Sequence, residues 1–118
     1  MLKRLLAKKL SHNDVSRLVN AELKRIKDNC QANRVYLFGS AARGEMTDQS
    51  DLDLLVVCPD ETTLKNSKER YYKSRQGNVW PVDIVFVTEA EYAQRSKIGG
   101  VCWMCESEGR LIFQADHD

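Results

Sequence analysis

A chain of 118 residues with 42% hydrophobic content can build one compact core, so residues 1–118 are expected to fold as a single domain. Lys+Arg (18) and Asp+Glu (17) nearly cancel to a net charge of +1, which removes the electrostatic case for a dedicated nucleic-acid binder; no direct nucleic-acid binding is expected. No apolar run approaches the roughly 20 residues of a bilayer span, so no membrane role is expected.

The opening MLKRLLAKKL is interrupted by Lys3-Arg4 and Lys8-Lys9 and lacks the continuous apolar region of an export signal. Residues 1–10 read as an amphipathic segment or a flexible basic arm. Residues 11–29 are expected to be helical, capped by Ser11, Asn13 or Asp14, with Val15, Leu18, Val19, Leu23 and Ile26 facing the core. Arg34–Phe38 reads as a strand buried on both faces and ended by Gly39. Residues 40–50 are small and polar, with room for one helical turn. Asp51–Cys58 is the next strand, closed by Pro59-Asp60. Residues 61–76 form a polar helix that is basic through Lys65, Lys68, Arg70, Lys73 and Arg75, and Gln76-Gly77-Asn78 is a turn. Val82–Val87 is a third strand. Thr88 caps a helix over 89–98 with Glu91 at the capping-box position. Gly99-Gly100 breaks that helix, another covers 101–108 with Gly109 as its cap, and Leu111–Phe113 is a short final strand. The order gives an α/β or α+β arrangement, a small sheet covered by helices, with strand direction left open.

Cys30, Cys58, Cys102 and Cys105, without an export signal, are expected as free thiols in a reducing cytoplasm. Cys102 and Cys105 form a single CxxC, and the histidines stand only at 12 and 117. At i,i+3 spacing the pair is expected to pack as small apolar side chains rather than to hold a metal. Tyr71, Tyr72, Trp80 and Trp103 are read chiefly as packing residues.

The chemistry concentrates in two places. Asp51 and Asp53 open a strand, and alternation puts both on one face, ~6.5–7 Å apart along the backbone. Two carboxylates side by side repel, and a divalent cation, or two of them, converts the repulsion into ligation. Asp83 is the only charge in the apolar run PVDIVFV and reads as a buried carboxylate in need of a partner. Three acids on neighbouring strands suit phosphoryl or nucleotidyl transfer, in which Mg²⁺ holds the phosphates and stabilises the leaving pyrophosphate. Just before them, Gly39-Ser40-Ala41-Ala42-Arg43-Gly44 is small enough for backbone N–H groups to approach a phosphate, and the Ser40 hydroxyl can donate to one. Arg43 has two open roles, phosphate contact or pairing with an acid. Each feature also has an ordinary alternative: a turn, a solvated strand edge, a salt-bridged aspartate.

Gly39-Ser40, nine residues, then Ser50-Asp51-Leu52-Asp53 resembles the GSxARGxxxxxSDxDL signature of the DNA polymerase β-like nucleotidyltransferase superfamily. The match extends through Ala42-Arg43-Gly44 and Asp83 to Glu108-Gly109-Arg110-Leu111-Ile112, and is nearest to the minimal nucleotidyltransferases that act as antitoxins to HEPN proteins. The resemblance implies a small mixed β-sheet flanked by helices. It implies Gly39 and Ser40 at a nucleoside triphosphate, with Arg43 and Ser50 as further candidates there, and Asp51, Asp53 and Asp83 at a two-metal Mg²⁺ site. It further implies transfer of AMP from ATP to a tyrosine of a HEPN-type RNase toxin. Two alternatives stay open: an antitoxin that only masks its toxin, and a small-molecule nucleotidyltransferase.

Overall fold

The structure, a computed structural model, describes residues 6–77 and 79–116; Met1–Leu5 of the basic arm, Asn78 of the expected turn and His117 lie outside the described residues. The chain order is α1 (His12–Asn29), β1 (Arg34–Phe38), α2 (Gly39–Ala42), β2 (Leu52–Cys58), α3 (Glu61–Ser74), β3 (Val82–Thr88), α4 (Glu89–Arg95), α5 (Gly100–Glu108) and β4 (Arg110–Gln114). Every expected element is present, with ends moved by a few residues. The caps account for the starts. The Ser11 hydroxyl accepts from Asp14 N, Asp60 accepts from Thr63 N, and Thr88 with Glu91 closes the expected capping box.

The four strands lie in the order β3-β2-β1-β4. β1 runs antiparallel to both β2 and β4, whereas β2 and β3 are parallel, joined by a crossover through α3. The sheet is therefore mixed. Strand alternation divides the apolar residues between two cores. Val35, Leu37, Leu52, Leu54, Val56 and Cys58 pack with Ile26 of α1 and Tyr71 of α3 on one face. Tyr36, Phe38, Leu55, Val57 and Val87 pack with Tyr92 of α4 and with Cys102 and Cys105 of α5 on the other. The two cysteines of the CxxC are thus core residues, and all four cysteines are free. Burial pushes the Cys105 thiol up to about 12.

Three expectations need correction. Asp83 is not a buried carboxylate: among the described residues β3 is an edge strand paired with β2 alone, and Asp83 near its start is exposed. Arg75 is not part of a solvated basic face; its side chain is 13% exposed and bonded to Glu22. The arm is not loose where it is described, because Leu10 N donates to Met46 O (2.9 Å), Asp48 N to Lys8 O (2.9 Å) and Lys8 N to Asp48 Oδ1 (3.1 Å).

Candidate active site

Parallel pairing of β2 with β3 brings two of the predicted acids onto one rung. The register matches Leu52 with Val82, Asp53 with Asp83 and Leu54 with Ile84. Neighbouring strands stand ~4.8 Å apart, so directly paired carboxylates interact strongly. Leu52, Leu54, Val82 and Ile84 belong to the core under α1 and α3. Asp53 and Asp83 therefore belong to the opposite face, that of α4 and α5, at the strand ends. Asp53 is partly buried there, while Asp83 and Asp51 are exposed. β2 begins at Leu52, so Asp51 lies in the approach to the strand rather than within it.

Phe38, the last residue of β1, pairs with Asp53, and the chain then turns at Gly39 with φ +70°. A Cβ at Gly39 would overlap Asp53 Oδ2. Glycine is required twice over, for the left-handed conformation and for the close approach. It seats the Gly39-Ser40 turn directly against the acid. α2 has only four residues, so an anion there would meet individual N–H groups rather than the dipole of a long helix. Ser40 is half-buried and its hydroxyl makes no hydrogen bond among the described residues.

The electrostatics are those of an uncompensated acidic cluster. Burial, then the charges of Asp83 and Asp51, push the Asp53 carboxyl above the ordinary aspartate range, and Arg43 partly opposes them. Among the described residues none of the three acids makes an ion pair. Nor do any three His, Cys, Asp or Glu side chains among them stand as a ready metal cage. The donor set nevertheless fits a hard divalent cation: carboxylate oxygens, two of them on exposed residues able to turn inward, around a third whose charge is disfavoured without a counter-ion.

Arg43 is exposed and its Nε donates to Glu45 Oε1 at 2.7 Å, with Glu108 and Asp53 also holding it charged. Ser50 closes a turn: its Oγ accepts from Thr47 N at 2.9 Å. Glu108, at the end of α5, and Trp80, whose indole N–H donates to Ser50 O at 3.0 Å, belong to the neighbourhood, although sequence reasoning assigns Trp80 chiefly a packing role and Glu108 only a place in the C-terminal stretch. Trp80 lies three residues ahead of Asp83, a proximity that carries meaning only once the β2–β3 register is known.

A cavity of about 480 Å³ is lined by Leu23 of α1, Leu37 of β1 and Ile112 of β4, with Lys9 and Arg110 also on its wall, and it borders the Gly39–Gly44 segment through Ala41 and Gly44. Leu23, Leu37 and Ile112 belong to the core under α1 and α3, so the cavity is on the sheet face away from the acids.

The nucleotidyltransferase domain family matches this chain over residues 19–99. A protein from Methanocaldococcus jannaschii named as a protein adenylyltransferase is 36% identical over 44 residues, 37% of this chain and 44% of that protein. The match thus spans less than half of that relative's length. A crystal structure of a nucleotidyltransferase from Sulfolobus solfataricus has the same fold, with a TM-score of 0.55, 23% identity and coverage of 83% of this chain and 78% of that one. A chain in the crystal structure of a toxin–antitoxin with AMP-PNP is similar at a TM-score of 0.50 and 20% identity, over 81% of this chain and 73% of that one. With the family matched across most of its length, and the Gly-Ser turn seated on a cluster of acids, the chain belongs to the nucleotidyltransferases.

Proposed function

We propose that this protein is a Mg²⁺-dependent adenylyltransferase that transfers AMP from ATP to a tyrosine of a HEPN-type RNase toxin in the cytoplasm and so neutralises it. The observation that carries the proposal is the Asp53–Asp83 rung with the Gly39 backbone packed against Asp53. The adenylyltransferase name of the archaeal relative and the fold shared with a toxin–antitoxin chain support this reading of nucleotide and of a protein acceptor.

Gly39 and Ser40 would bind the triphosphate through backbone N–H groups and the Ser40 hydroxyl. Arg43 would turn from Glu45 to a phosphate oxygen, and Ser50 would border the nucleotide while holding its turn. Asp51, Asp53 and Asp83 would hold the metal. Bound Mg²⁺ supplies neutralisation of the triphosphate and a lower pKa for the attacking hydroxyl. The acceptor oxygen bonds to the α-phosphorus, the bond to pyrophosphate breaks, and the hydroxyl proton passes to Asp83.

The test uses α-labelled ATP and Mg²⁺ with the protein and its co-purified partner, comparing wild type with Asp51→Asn/Asp53→Asn. Label on the partner with wild type alone is the expected result. Tight partner binding with no label from any nucleotide would leave only a masking role. Label on a small molecule instead would make the acceptor class wrong.

A further inference from the structure

We propose that Trp80 is a positioning residue that fixes the strand ends carrying Asp51 and Asp83, a role that rests on the reading of these acids as metal ligands. Trp80, two residues ahead of β3, bonds to the approach to β2 and to the end of α3. Its indole N–H donates to the carbonyl of Ser50, the residue before Asp51, at 3.0 Å. Its own carbonyl accepts from Arg75 Nη2 at 2.7 Å. One residue on, the Pro81 carbonyl accepts from Leu52 N at 3.0 Å, which continues the stitch into the strand pair.

The clamp is anchored from the other side of the sheet. Arg75 Nη1 donates to Glu22 Oε1 of α1 at 2.7 Å and to the Tyr71 hydroxyl at 2.9 Å, and that hydroxyl donates to Glu22 Oε2 at 3.0 Å. Glu22 is 6% exposed and Tyr71 fully buried, so the anchor is rigid. Trp80 itself packs into the core under α1 and α3. Asp51 lies outside β2 and Asp83 lies on an edge strand, so neither is held in place by pairing on both sides. A hydrogen-bonded chain from Glu22 through Arg75 and Trp80 to Ser50 supplies the missing restraint. Partners of this kind around metal-binding carboxylates tune affinity and rate without touching the substrate.

The decisive experiment measures Mn²⁺ binding by electron paramagnetic resonance in the presence of a non-hydrolysable ATP analogue, beside kcat and KM for transfer. Trp80→Phe keeps the aromatic ring and removes only the indole N–H. It should weaken Mn²⁺ binding by about 10–100-fold and lower kcat by a similar factor with KM for ATP nearly unchanged. Arg75→Lys, which keeps the charge beside Glu22 but loses the fork that spans to the Trp80 carbonyl, should act in the same direction and carries the test should Trp80→Phe not fold. Exposed Trp103→Phe should match wild type. A core-filling role alone predicts a lower melting temperature for Trp80→Phe with Mn²⁺ affinity and kcat intact, and that result overturns the proposal. Asp53→Asn separates the two levels. If it leaves Mn²⁺ binding unchanged, the acids are not the metal site and the clamp falls with them. If it abolishes binding while Trp80→Phe and Arg75→Lys behave as wild type, the clamp alone is wrong.

Discussion

Gly39 lies against the Asp53 carboxylate with no room for a methyl group between them, and its φ of +70° is one that side-chain-bearing residues rarely adopt. The contact ties the end of β1 to the beginning of β2, where Phe38 and Asp53 are register partners. It brings the backbone N–H groups of the turn close to an acid whose pKa is raised by burial and by its acidic neighbours. A triphosphate held by the turn would then be within reach of a metal held by the acids.

Gly39→Ala should therefore harm activity more than stability. The left-handed conformation costs alanine about 1–2 kcal/mol, and the new Cβ must push the Asp53 carboxylate aside. A displacement of that size in a reacting site lowers transfer by about a hundredfold. Label transfer and a thermal melt on the same preparation would check this. A variant with wild-type turnover would show that the turn does not set the position of Asp53.

Asp53→Asn should abolish transfer and leave the fold intact. Its carboxyl titrates above the ordinary aspartate range in the folded chain, through burial and the neighbouring Asp83 and Asp51. An acid whose pKa rises on folding costs stability at every pH above its unfolded value. Without Mg²⁺ the variant should melt at or above the wild-type temperature at pH 7. Added Mg²⁺ should raise the wild-type melt through preferential binding to the native state and leave the variant unmoved. A Mg²⁺ response undiminished in Asp53→Asn would remove Asp53 from the metal site.

Much of this was legible in the residues. The alternation of Leu52, Asp53 and Leu54 puts the acid on the face opposite the two leucines whatever the partner strand, and Thr88 with Glu91 announces its own helix. Register was not legible, because pairing is a property of two segments. Nothing in the run PVDIVFV says that β3 lies at an edge, and so Asp83, expected to be buried, is exposed. Arg75 illustrates the same limit. It ends a basic stretch whose Lys65, Lys68, Arg70 and Lys73 are all solvated, yet it turns back onto Glu22, which is 53 residues away in sequence. Gly109 was expected as a helix cap for its conformational freedom. Its φ of −74° is open to any residue, and glycine is needed because a Cβ would come within 2.7 Å of the Cys105 backbone.

Asp60 provides a pH dependence of opposite sign to that of Asp53. Its carboxylate accepts from Thr63 N at 2.8 Å at the start of α3, and hydrogen bonding to Thr63 lowers its pKa from 3.8. A depressed acid contributes stability above its unfolded pKa and loses it as the pH falls through the folded value. Asp60→Ala should lower the melting temperature at pH 6, and the difference from wild type should shrink below about pH 4. A gap that persists at pH 2 would point to helix propensity or packing rather than the charged cap.

Glu22 offers a large loss of stability without touching the acids. Its side chain is 7% exposed and meets Arg75 at 2.7 Å and Arg25 at 3.2 Å, and it accepts from the Tyr71 hydroxyl. Arg25 Nε is buried and makes no hydrogen bond, so its contact with Glu22 is one of charge alone. Glu22→Ala takes the carboxylate from two guanidinium groups, one of them only 13% exposed, which keep only neutral partners, and leaves the buried tyrosyl hydroxyl without its acceptor. Removing one member of a buried pair costs about 3–5 kcal/mol. The 27% exposure of the Arg25 side chain lets water recover part of its share, so about 3 kcal/mol is expected here. Urea unfolding should show a lower midpoint with an unchanged slope. Glu22→Gln keeps one of the two acceptor oxygens, enough for either Tyr71 or Arg75, and should lose less. Equal losses for the two variants would assign the stabilisation to charge rather than to the hydrogen bonds that join α1 to the end of α3.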